Sequence, residues 1–281
     1  MKSNNVTRRS FVVATAGAVV GLSNPLPSSP ASTALSPTMA RLSSYMSEAG
    51  QAALPEEALE HTKRHVLDTF AAMVSGSDLP PGRFAINFAR AHSAEKAATV
   101  AASDVVCGAV EAAFSNAMLA HSDETDDSHA PSESHPGASI VPSALAVGEQ
   151  FNIDGPRFLR AIALGYDIGT RVTMTVGVGG FQTANHISTH ALAGIFGSAA
   201  AAGCAASLNQ RQMRWLIDYA SQQASGIKTW QRDTDHIEKA FLFAGMPARN
   251  RECRSQEPTS RFGRQLTEPL PIIRVKTIFE D

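Results

Sequence analysis

The sequence predicts an all-α fold. Three observations carry that expectation: apolar residues recur at helical spacing over most of the chain, aromatics make up only 6%, and small residues abound, with 20 Gly and long Ala runs. Closely packed helices suit that composition better than a β-sandwich, which draws on β-branched and aromatic residues. With 281 residues, 43% of them hydrophobic, there is material for one large or two small domains. A formal net charge of -2 gives no reason to expect nucleic acid or an acidic membrane surface as a partner.

The first segment stands apart from the fold. Thr7-Arg8-Arg9-Ser10-Phe11-Val12 precedes an apolar run from Val13 to Leu22, then Pro and Ser, then Ala31-Ser32-Thr33-Ala34. Residues 1–34 therefore read as a twin-arginine (Tat) export signal, which sends a bacterial protein out of the cytoplasm to the periplasm or beyond. The run falls short of the roughly 20 residues that cross a bilayer. No stable membrane insertion is expected once the signal is removed.

Pro55-Glu56-Glu57 opens a helix, since Pro suits the first turn and acids there complement the dipole. Leu59, Val66, Leu67, Phe70, Ala71 and Val74 supply its apolar stripe, and Gly76 ends it. Pro80-Pro81-Gly82 turns the chain into a second amphipathic helix with Phe84, Ile86, Phe88 and Ala89. Ser103 or Asp104 caps a third, whose stripe is Val106, Val110, Ala113, Phe114, Ala117 and Met118. Val141-Pro142 starts a short helix to Phe151, and Asp154-Gly155-Pro156 caps one running towards Val172. Gly177-Val178-Gly179-Gly180 is a flexible break and a poor phosphate loop, with no GK[ST] after it. From Ala191 to Leu208 nearly every residue is small or apolar, which predicts a central helix covered on all sides. Asn209 caps a last helix carrying Met213, Leu216, Ile217 and Ala220. Cys107, Cys204 and Cys253 lie far apart without CxxC spacing, so neither a zinc knuckle nor an iron-sulfur motif is visible.

The chemistry concentrates in His121-Ser122-Asp123-Glu124-Thr125-Asp126-Asp127-Ser128-His129, followed by His135-Pro136-Gly137. Only 18% of the chain is charged, so four acids and three imidazoles between two apolar helices are not background. Burying an unpaired charge costs several kcal/mol, so the segment should face water, a metal or a polar cavity. A solvated acidic loop is the plain alternative. The Pro-Gly punctuation and apolar flanks favour a functional loop.

In order, the motifs His121, Glu124, Asp126-Asp127-Ser128, His135-Pro136-Gly137-Ala138, Val141-Pro142 and Glu149 resemble the MmgE/PrpD family. So do Gly165-Tyr166-Asp167 with Arg171, Gly194 to Ala200, Gln222 to Gly226, Trp230, Lys239 and Gly245 to Asn250. The resemblance covers roughly residues 38 to 250. It implies a helical domain that uses no cofactor and no metal and acts on a small polycarboxylate. Dehydration, decarboxylation and epimerisation all occur in the family, and each moves a proton next to a carboxylate. By similarity Glu124 stands at a functional Asp position and Ser128 at a Thr position. His135 is then the acid/base, and Asp126 and Asp127 orient the loop or a neighbouring His. His186 and His190 are both candidates for a further family His. Lys239, and also Arg249, would bind substrate carboxylate, against the plain reading of Lys239 as a surface charge. A homodimer through the helical domain is also implied.

Residues 35–250 thus read as the family's helical domain, with its smaller α+β domain missing. Residues 251–281 contain no Ala, five Arg and three Pro and lack a helical stripe. A one-base shift of one codon choice for Arg251 to Ser255 gives Gly-Ser-Ala-Ala, close to the family's continuation, so this tail reads as frameshifted. Two alternatives stand beside the lyase reading: a truncated, catalytically incomplete member of the family, and a Mg²⁺-dependent all-helical enzyme. The latter wants a DDxxD motif, of which Asp123 to Asp127 is one imperfect copy.

Overall fold

The computed structural model describes residues 36–228, 231 and 233–249. The export-signal reading, Trp230, Asn250 and the tail lie outside these residues. The described chain is helical throughout apart from one two-stranded hairpin. In order the elements are α1 (Pro37–Glu48), α2 (Glu56–Gly76), α3 (Pro80–Ala91), β1 (Ala98–Thr99), β2 (Val106–Cys107) and α4 (Ala109–Ala120). There follow α5 (Gly137–Phe151), α6 (Gly155–Val176), α7 (Val178–Asn185), α8 (Thr189–Ala205) and α9 (Gln210–Gln223). Last come α10 (Ile237–Ala240), a π-turn over Phe241–Gly245, and α11 (Met246–Arg249). Among the described residues no helix is long and apolar enough to cross a membrane.

Two buried helices organise the rest. α4 packs against α2, α3 and α5, and α8 packs against α5, α6, α9 and α11, so α5 belongs to both groups. Every residue of α8 is buried, as its Ala-Gly composition predicts. Small residues let neighbouring backbones close in. A Cβ on Gly165 would stand 2.6 Å from Ile140 Cγ2 and 2.9 Å from the Gly197 carbonyl, and one on Gly169 would stand 2.5 Å from the Ala193 carbonyl. The α6–α8 contact is the most extensive between any two elements, and those glycines set its spacing.

Local capping follows the sequence at two helices. Asp154 accepts the Arg157 N–H at 2.8 Å to start α6, and Asn209 forms a capping box with Gln212 to start α9. Elsewhere tertiary packing overrules the pattern. The buried face of α2 is Thr62, Thr69, Ala72 and Met73, while Leu67 stays 73% exposed and Val74 is exposed too. The two threonines bury because each hydroxyl donates to the carbonyl four residues back, Ala58 and His65. On α3 the small residues Ala85 and Ala89 face inward and Phe84 is 61% exposed, while Phe88 meets Phe114 of α4 edge-on at 5.2 Å. Ser103 and Asp104 do not cap α4. Ser103 closes the β1–β2 hairpin by donating to the Val100 carbonyl and accepting from the Val105 N–H, and α4 begins after Gly108. Pro142 lies inside α5, which begins at Gly137. The break at Gly177 is one residue wide, with φ 91, and α7 resumes at once.

Valine in place of Gly169 should overpack the α6–α8 contact and cost on the order of 1–3 kcal/mol. Gly155→Ala, with nothing within 4 Å of its added carbon, should leave stability almost unchanged. Thermal melts of the two variants check the contrast; equal melting temperatures would refute the glycine argument.

Candidate functional site

α4 ends at His121, whose backbone leaves the helical region, and the acid-rich loop begins there. The four carboxylates do not stay together. Asp123 Oδ1 accepts from the backbone and hydroxyl of Thr125, making a local turn at the surface. Glu124, in a left-handed conformation at φ 57, receives the Lys239 ammonium at 2.6 Å. Asp126 is buried, and its Oδ1 accepts the Nδ1–H of the wholly buried His121 at 2.9 Å. Asp127 turns the other way: Oδ1 accepts the Gly137 N–H at 2.9 Å and Oδ2 the Tyr166 hydroxyl at 2.7 Å. His65 Nδ1 also lies 3.1 Å from that second oxygen, and its ring stacks on Tyr166 at 4.5 Å. Mutual repulsion is thus relieved by giving each acid a separate partner.

The glycine of His135-Pro136-Gly137 has a physical reason. A Cβ there would stand 2.5 Å from Asp127 Oδ1, 2.6 Å from the Tyr166 hydroxyl and 2.7 Å from Thr69 Oγ1. Only a bare backbone lets the start of α5 approach the carboxylate that receives its N–H.

Around His121 the imidazoles converge. Its ring lies 5.4 Å from His135, 5.1 Å from His190 and 5.5 Å from His236, between centroids. His135 and His190 stack at 4.8 Å, and Phe243, carried on the π-turn, stacks on the far face of His190 at 4.3 Å. Such turns recur at functional sites. His190 reaches the cluster because Ser188 N–H bonds the Gly226 carbonyl and Ile187 bridges Ile227, which fixes the entry to α8. Its Nε2 accepts the His135 backbone N–H at 3.1 Å. His135 Nδ1 sits 3.7 Å from Asp126 Oδ2, and the His135 side chain keeps 25% of its surface exposed. His121 Nε2, Asp126 Oδ2, His135 Nδ1 and His236 Nε2 are all buried without a hydrogen-bond partner. Buried polar atoms are seldom left unpaired, so four in one cluster mark the candidate site.

The electrostatics are equally uneven. Burial, then the neighbouring His121 and His135 and the Lys239 charge, hold His190 well below the ordinary imidazole value. Burial and His121 also lower His236. Burial tends to raise Glu124, but the Lys239 hydrogen bond and charge outweigh it and the carboxyl is lowered. Asp68, beside Asp127, is raised by burial and then by repulsion from Asp127 and Asp126.

Of the residues singled out from sequence, Glu124, Asp126, His135, His190 and Lys239 meet in this cluster. Asp127 braces it from behind. Ser128 is exposed on the loop surface. His186 is exposed in a left-handed turn before α8, and Arg249 is exposed at the end of α11; neither makes any of the cluster's contacts described above. Sequence reasoning gave no role to His121, His236, Tyr166, His65 or Phe243. His121 carried a signal, a titratable residue closing an apolar helix, and His236 stands one helical turn before Lys239. A cleft of about 490 Å³ is lined by Phe84, Phe88, Phe114 and Phe241 together with Asp235 and Ile237, and none of the imidazoles lines it.

The fold is a helical domain whose helix ends bring buried imidazoles beside one carboxylate. The chain matches the model of the MmgE/PrpD N-terminal domain over residues 40–250, and it belongs to the MmgE/PrpD family. No curated protein matches it. Family membership points to dehydratase- or lyase-type chemistry.

Because folded His190 resists protonation while the unfolded chain protonates near the ordinary 6.5, stability should be complete above that value and fall below it. His236 acts in the same direction. Melting temperature should therefore drop between about pH 7.5 and about pH 5.5. The drop should shrink in His190→Gln, whose amide can still accept the His135 N–H. An undiminished drop in that variant would contradict the assignment.

Proposed function

We propose that this chain carries the acid–base centre of a cofactor-free lyase or isomerase acting on a small polycarboxylate. The observation that supports it is the shared carboxylate: Asp126 holds His121 through one oxygen and faces His135 with the other. An Asp that accepts Nδ1–H fixes the imidazole tautomer and steadies the charge that forms on protonation. His135, the partly exposed member, is the acid/base, and Asp126 and Asp127 are positioning residues. Asp127 acts by pinning Gly137, two residues beyond His135, to the loop.

The reaction class follows from the groups at hand. A base removes the proton on the carbon next to a substrate carboxylate, and the electron pair moves onto that carboxylate as an enediolate. In a dehydration the pair then forms the double bond, the C–O bond breaks, and the protonated acid gives its proton to the departing hydroxide. Epimerisation ends with a proton delivered to the opposite face of the same carbon. In a decarboxylation no proton is removed first: the C–C bond to the carboxylate breaks, CO₂ leaves, and the electron pair left behind takes a proton from the acid. Lys239 reaches the cluster through Glu124, and it would share its ammonium between Glu124 and a substrate carboxylate. Ser128 and Glu124, at the exposed lip of the loop, are the hydrogen-bonding groups that a substrate would meet first. The Mg²⁺ reading is disfavoured by geometry, since Asp126 and Asp127 point to different partners.

Incubating the protein with 2-methylcitrate or cis-aconitate in D₂O, followed by proton NMR, tests both turnover and exchange at the carbon beside the carboxylate. His135→Gln should lower the rate by on the order of 10²–10⁴-fold with the fold intact by circular dichroism. Asp126→Asn should shift the pH profile as well as the rate. Full activity in His135→Gln would remove the proposal.

A further inference from the structure

His121 Nε2 and His236 Nε2 are left over from the hydrogen-bonding scheme, and both are buried beside Glu124. We propose that His121, Glu124 and His236 form a binding site for a divalent ion of the Zn²⁺ class. One ligand atom from each lies within 4.8 Å of the other two. His121 Nε2 stands 3.9 Å from Glu124 Oε1. Two atoms bound to one tetrahedral zinc at about 2.0–2.1 Å are about 3.3 Å apart, so an ion would draw the three side chains inward from spacings of at most 4.8 Å.

The surroundings favour this ligand set. Asp126 accepts the Nδ1–H of His121, which leaves the lone pair on Nε2; a carboxylate behind the imidazole is the usual partner of metal-binding histidines. Two imidazoles and a carboxylate leave a fourth position open, as in catalytic zinc sites, whereas Mg²⁺ and Ca²⁺ require oxygen ligands. A second grouping, His121 with Asp126 and His135, is less suited, because the His121–Asp126 hydrogen bond would have to break. Lys239 is a built-in competitor: its ammonium occupies Glu124 Oε1 at 2.6 Å, and an incoming dication must displace it. The site stands on geometry alone and does not depend on the proposed reaction. An ion on His121 Nε2 would take the lone pair that proton transfer through His121 needs.

Co²⁺ titration of the full-length chain, read by visible d–d absorption, with Zn²⁺ displacement and calorimetry, tests the site directly. One four-coordinate Co²⁺ per chain, displaced by Zn²⁺, is expected. His236→Gln should abolish the spectrum, and Glu124→Gln, an exposed change that spares the core, should weaken binding at least roughly tenfold. Lys239→Met should tighten binding by roughly tenfold or more, since a unit positive charge is removed from beside a dication. Melts of each metal-free variant report folding. No cobalt spectrum, binding indifferent to His236→Gln and Glu124→Gln, loss in His135→Gln alone, or no tightening in Lys239→Met would each overturn the assignment. Turnover tests of the lyase reading use metal-free protein, so either idea can fail without the other.

Discussion

The close approach of α6 and α8 through Gly165, Gly169 and Gly197 is the constraint on which the rest of the domain depends. A buried helix of Ala, Gly and Ser contributes little apolar area per residue, so its stabilisation has to come from many neighbours at short range. α8 obtains them by lying against α5, α6, α9 and α11 at once. That placement also fixes its N-terminus, and His190 stands one residue inside it. The site's geometry is therefore inherited from a backbone–backbone fit some turns away.

Within the site, the decisive step is the separation of adjacent charges. Asp126 and Asp127 are neighbours in sequence, yet one faces the imidazoles and the other Gly137, Tyr166 and His65. Two buried carboxylates on one side of a loop would destabilise it; turned apart, each is hydrogen-bonded. The arrangement ties the loop to Gly137 and Tyr166 through Asp127 and to His121 through Asp126. A left-handed residue at Glu124 then swings the next carboxylate outward to meet Lys239, 115 positions along the chain.

Much of the fold was legible from sequence because helical periodicity and caps are local. The enclosed α8, the Asp154 and Asn209 caps and the Gly76 terminus all follow from residues within a turn of one another. The errors share a cause as well. The stripes assigned to α2 and α3 are right for Val66, Phe70, Ile86 and Ala89, which join or pack against the core, but threonines and alanines share that face and Leu67 and Phe84 lie outside. Hydrophobicity can be read one residue at a time, but the room available between two helices cannot.

The sequence by itself determined that the domain is helical and that acids and imidazoles gather just beyond the end of α4. Only the tertiary structure decided which imidazoles share that place. His121, His190 and His236 come from segments far apart in the chain, and no local pattern encodes their meeting. The reason is physical: spacing along a helix is set by its own hydrogen bonds, while the distance between helix ends is set by how closely their backbones can pack.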